Sequence, residues 1–171
     1  MLPSPLHPAI VHFPIVFTVL LPFLAAGAFW AIRRGLKPRR AWTVPFLAAV
    51  AVSLSAWVSV QTGEADEERA EEVAGEQVLH HHEEAAERFL LLSGGVVILM
   101  AAGFLPGIQG KAGRVLAGTA AAGLLVAGYQ VGHSGGRVVF GDSVTPGISA
   151  LGAGPAGDRA NAEENESEDD D

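Results

Sequence analysis

Residues 9 to 32 contain no Lys, Arg, Asp or Glu. As a helix this stretch reaches about 36 Å, enough to cross a bilayer with some tilt. Hydrocarbon offers no hydrogen-bond partners, so each backbone group must be satisfied within the segment and a helix is the form open to it. Three more apolar runs lie further along, near 42–60, 89–105 and 115–131, the last two close to the short limit for a crossing. With 49% apolar residues and a mean hydropathy of +0.31, the chain is too apolar for an ordinary soluble protein of its length. The sequence therefore predicts an all-α membrane protein: a four-helix transmembrane bundle within residues 1–150, with helices over about 9–32, 42–60, 82–105 and 114–132. An acidic helical loop and a disordered acidic tail, 151–171, complete the expected organisation. The first run is not read as a signal peptide, because such peptides carry positive charge before the apolar core and here the first cation, Arg33, comes after it.

Charge separates along the chain. The connections between the first and second runs and between the third and fourth hold seven of eleven cations: Arg33, Arg34, Lys37, Arg39, Arg40, Lys111 and Arg114. Neither connection holds an acid, and all nineteen acids fall in the other segments. The positive-inside rule then predicts both termini and the long middle segment outside a bacterial cell membrane, periplasmic or extracellular. Trp30 and Trp42 flank the first basic loop in the manner of interfacial anchors. Residues 64 to 88 carry ten acids among Glu- and Ala-rich helix formers and read as a surface helix running into the third crossing. Beyond the fourth run, glycines around Arg137 to Phe140 suggest a short strand or a flap.

All six histidines fall on the acidic side. His7 and His12 open the first helix, with Pro8 suited to a first helical position and Pro14 and Pro22 expected to bend the helix. His80, His81 and His82 lead into the third helix, His133 ends the fourth, and Glu64 ends the second. Bundles build metal and cofactor sites from facing helices in this way. The candidate cofactor ligands are His12, His133, His7 and His82, with Glu64 added for a bare metal ion. His12 and His133 are the pair best matched in depth, because an imidazole a turn inside the bilayer needs a partner. His7 and His12 are five residues apart, about 140° around a helix, so both face inward only if the first turn is irregular. Gly94, Gly95, Gly103, Gly118, Gly123, Gly128 and Gly132 read as sites of close helix packing, with Gly128 and Gly132 seating a neighbour at the acidic end.

The absence of cysteine excludes disulfides, thiolate metal sites and covalent haem attachment. Phosphate-binding loops, dinucleotide fingerprints and nucleophile motifs are absent too, so no catalytic residue is assigned and a non-enzymatic role is favoured over an enzyme. The partners expected are the lipid bilayer and a redox protein or another membrane subunit, not nucleic acid. The functional readings are b-type haem or a divalent transition metal held at the histidine rim for electron transfer, and a non-catalytic subunit or scaffold with structural histidines. A solute carrier is disfavoured, since the helices show no inverted repeat of broken segments.

The opening HPAIVHFP, the Thr62-Gly63 ending of the second helix, the His82-Glu83 entry to the third and GGRVVF after the fourth resemble an uncharacterised family of bacterial four-helix membrane proteins, domain of unknown function 2231. The resemblance covers about residues 5 to 147. It marks His7, Pro8, His12, Phe13, Pro14, Gly63, His82, Gly135 and Gly136, and departs at Phe140, where the family usually has tyrosine. It implies no activity, and the likeness of such bundles to small di-haem cytochromes b is architectural only.

Overall fold

The computed structural model describes residues 7–65 and 67–140, with the side chains at 68, 69, 73, 74 and 140 excepted. The described residues are helical apart from short connections: α1 (His7–Ile10), α2 (His12–Arg33), α3 (Pro38–Ala65), α4 (Glu67–Ala74), α5 (Glu76–Ala102) and α6 (Gly107–Phe140). Four stretches are long and apolar enough to cross a membrane: His7–Arg33, Pro38–Ala65, Glu76–Ala102 and Gly107–Val139. The expected acidic tail lies outside the described residues.

Each helix ends where its sequence stops supporting it. Pro14 has no N–H to offer the Ile10 carbonyl, and α1 gives way to α2 through a single turn residue, Val11. Val11 itself keeps helical angles, φ −59° and ψ −21°, and its N–H bonds to the His7 carbonyl at 3.1 Å, so the register carries through and His7 and His12 face different ways. At the other end of α2, Gly35 takes φ +97° and the Leu36 N–H bonds back to the Ala31 carbonyl at 3.0 Å. That closure exploits glycine's tolerance of positive φ. Gly75, at φ +82°, separates α4 from α5, so the acidic segment is broken where the sequence suggested one continuous helix.

The core is built for close approach. Ala25, Ala28, Ala41, Ala48, Ala49 and Ala56 on α2 and α3 are buried with Leu21 and Val52, and small faces bring helix backbones together. Trp42 fills the space between the two helical hairpins and is wholly buried, its indole N–H donating to the Met100 carbonyl at 2.9 Å. It is thus a core residue rather than the interfacial anchor its position suggested; Trp30, 62% exposed, keeps that character. Phe29 packs edge-on to Trp42 at 5.4 Å, and Phe46 meets Phe104 at 5.3 Å.

Two stretches differ from the expected boundaries. Residues 107–114 are the first turns of α6 rather than a loop, and Arg114 is buried with a guanidinium N–H donating to the Gly103 carbonyl. The cation reaches back to cap the C-terminus of α5, which satisfies a carbonyl that would otherwise end in an apolar environment. Residues 137–140 are helical, not a strand or a flap. An extended run of four residues with no neighbouring strand leaves its backbone unpaired, whereas prolonging α6 pairs it within the segment. The glycine expectation divides likewise. A Cβ on Gly128 would lie 3.3 Å from Thr18 Cγ2, so that glycine does seat a neighbour, but Gly132 faces open space.

Candidate functional site

At the start of the first crossing His7 faces α3. Its Nδ1–H donates to the Ser59 carbonyl at 2.8 Å, and the Thr62 hydroxyl lies 3.4 Å from the same nitrogen. That hydroxyl donates to the Val58 and Ser59 carbonyls, at 3.1 and 3.0 Å, as helical threonines do. Gly63 provides the seat: a Cβ there would stand 3.2 Å from Cε1 and 3.3 Å from Nδ1 of the ring. A Cβ at this position would require the imidazole to give way by a few tenths of an ångström.

His82 repeats the arrangement on the second hairpin. The Ser134 hydroxyl donates to the Val131 carbonyl at 3.0 Å, which commits its only proton, so it accepts from His82 Nδ1–H, also at 3.0 Å. Gly135 is the seat, where a Cβ would lie 3.0 Å from His82 Cε1. In both hairpins the histidine and the residue accepting its proton are 52 positions apart. Each bond fixes the Nδ1–H tautomer of the neutral ring, which leaves Nε2 with an uncommitted lone pair. The two rings come together with centroids 6.4 Å apart and planes at 82°.

The other expected site residues do not join this pair. His12 is exposed on the flank of α2, five residues along from His7, as the helical angle requires. His133 is exposed and stacks on Tyr129 at 5.9 Å, one turn back along α6. Glu64 is exposed and accepts a hydrogen bond from Gln61 Nε2 at 3.0 Å. His80 and His81 are exposed, and His80 lies 4.0 Å from the Glu84 carboxylate. Among the described residues no group of three or more His, Cys, Asp or Glu side chains is disposed to hold a metal ion. A bare divalent ion that needs three or four protein ligands therefore has no ready site there.

Depth along the helix suggested His12 with His133, and the structure instead joins His7 to His82. Depth was a poor guide because facing direction decides contact, and five residues of helix set His7 and His12 on different faces. Ser134 was not among the expected site residues. The signal for it was present, since Ser134 comes after His82 by the interval at which Ser59 comes after His7.

Fold and site together define a class: a helical membrane protein with four crossings and two anchored imidazoles meeting at one end. The chain belongs to the family described as Predicted membrane protein (DUF2231), whose model matches residues 3–146. No curated protein and no solved structure matches it.

Proposed function

We propose that the protein carries a redox cofactor between His7 and His82, at the end of the bundle facing the periplasm or exterior. The observation that carries this reading is the paired anchoring. Both imidazoles are held at Nδ1 by acceptors on the next helix, the second-layer arrangement that orients metal-ligating histidines. The ring spacing fits as well. Two metal–nitrogen bonds of about 2.0 Å, extended to the ring centres, span about 6 Å, and the observed centroid separation is 6.4 Å. Two imidazoles without a third protein ligand suit a group that brings its own equatorial donors, so b-type haem is the favoured occupant over a bare transition metal. His7 and His82 would hold it, and bound haem would supply one-electron chemistry. Gly63 and Gly135 keep both rings in place, and Ser59 and Ser134 raise their basicity as ligands.

Orientation belongs to the same proposal. With cations gathered at the opposite end, the positive-inside rule places the imidazoles outside the cytoplasm of a bacterial cell. A redox protein on that side is the partner this implies. The second reading, a scaffold whose histidines only tie helix ends, draws on the tight contact of each ring with its glycine.

The experiment is purification from haem- and metal-replete membranes, with Soret absorbance and elemental content recorded for wild type and variants. His7→Ala and His82→Ala should each abolish the bound species, whereas His12→Ala and His133→Ala should retain it. Colourless, metal-free wild-type protein would leave the scaffold reading in place.

A further inference from the structure

The end of the bundle opposite the histidines carries cations that no carboxylate among the described residues neutralises. Arg33, Arg34, Lys37, Arg39 and Arg40 are all exposed around the turn between α2 and α3, and Lys111 is exposed on α6. No Asp or Glu precedes Glu64, and none lies between Arg88 and Gly141. The one buried cation at this end, Arg114, is already committed to the Gly103 carbonyl.

The helices add to this charge. α3 and α6 both begin at this end with no acid in the first turn, so their positive dipole ends reinforce the side-chain cations. The negative ends of α2 and α5 are there too, but several of their last carbonyls are engaged. Leu36 and Gly35 N–H groups take those of Ala31 and Ile32, Trp42 takes Met100, and Arg114 takes Gly103. The backbone of the turn that bears the cations is pinned by these bonds.

Apolar side chains are interleaved with the cations. Leu36, Leu105 and Ile108 are exposed at the level of the two turns, and the Arg34 guanidinium lies 5.0 Å from the centre of the exposed Trp30 ring. A guanidinium laid over an aromatic at the last turn of a crossing sits where lipid headgroup meets acyl chain.

We infer that this basic collar is a binding surface for anionic phospholipid, with headgroup phosphates over Lys37, Arg39 and Arg40 and acyl chains against Trp30, Leu36 and Ile108. Phosphate supplies the missing counter-charge, and the acyl chain covers apolar groups that a free anion would leave in water. Arginine adds directed, paired donation to phosphate oxygens. The inference is independent of the cofactor proposal, since it concerns the other end of the molecule.

The test uses the full-length protein, reconstituted in mixed vesicles of phosphatidylglycerol and phosphatidylcholine and then extracted for native mass spectrometry of retained lipid. Phosphatidylglycerol should be retained in preference to phosphatidylcholine, and each cation removed should lower the preference by about fivefold. Lys37→Gln, Arg39→Gln and Arg40→Gln combined should nearly abolish it. Arg88→Gln, at the opposite end and paired with Glu84 at 3.1 Å, should leave it unchanged. A thermal-shift series on wild type alone provides a second readout: phosphatidylglycerol should raise the melting temperature more than phosphatidylcholine or inorganic phosphate does. Equal retention of the two lipids would overturn the inference, as would stabilisation by inorganic phosphate to the same degree. A preference that survives the triple substitution would overturn it as well.

Discussion

In the first hairpin, α1 to α3, the imidazole of His7 is held by a backbone carbonyl; in the second, α5 to α6, His82 is held by a serine hydroxyl. The interval of 52 residues is the same, and so is the glycine beneath each ring. The chemistry of the anchor is not. A carbonyl is present whatever side chain residue 59 carries, whereas the hydroxyl exists only while residue 134 is Ser or Thr. The hairpins also close differently at the basic end. The first closes through a turn with Gly35 in open space, and the second through glycines packed against backbone and indole. One hairpin thus depends on backbone geometry, and the other on particular side chains and on their absence.

The sharpest way to break this comparison is at the basic end of the second hairpin. A Cβ on Gly113 would lie 2.7 Å from the carbonyl carbon of Ala102, and a Cβ on Gly103 would run into the Trp42 indole. Backbone and a wholly buried indole have no room to yield. Gly103→Ala and Gly113→Ala should each destabilise by about 3 kcal/mol or fail to give folded protein. Gly123→Ala, where nothing stands within 4 Å, should be neutral or slightly stabilising. Thermal unfolding in detergent separates these outcomes, and equal melting temperatures would remove the packing argument.

Trp42→Phe comes next, because it keeps much of the ring volume but leaves the buried Met100 carbonyl without the indole N–H. A loss of about 2 kcal/mol is expected, measured the same way.

The anchors themselves predict an asymmetry. Ser134→Ala should release His82 and cost about 1 kcal/mol, while Ser59→Ala should cost a few tenths, since the carbonyl that holds His7 remains. Nitrogen NMR of labelled histidine reads the two cases directly: the Nδ1–H tautomer of His82 should be lost in the first variant and that of His7 kept in the second. If both substitutions disturb their histidine equally, the hairpins do not differ in their anchors. The smallest effects belong to the exposed rings. His12→Ala and His133→Ala should each change stability by less than about 0.5 kcal/mol, since neither imidazole has a buried partner. A large loss at His12 would return it to the set of bonded histidines.

Much of the architecture could be read from the chain. Residues 9 to 32 announce a crossing through length and lack of charge, and the family resemblance marks Gly63 and Gly135, the two seats of the rings. Boundaries were less legible. Lys111 and Arg114 read as a loop because cations seldom enter apolar helices, and Arg114 enters one only by finding the Gly103 carbonyl. Trp42 looked interfacial because composition reports the neighbours of a residue in sequence and not those in space.

The sequence by itself determined the helical class, the four apolar segments and the gathering of histidines and acids away from the basic turns. Those properties arise from transfer free energies and charge, which add along the chain residue by residue. Which imidazoles meet was decided only by the tertiary structure. Rotation about a helix axis is set by packing against other helices, and five residues along one helix turn a side chain by about 140°. Hence His7, outside the deepest apolar stretch, pairs with His82, while His12, five residues on, looks outward from the bundle.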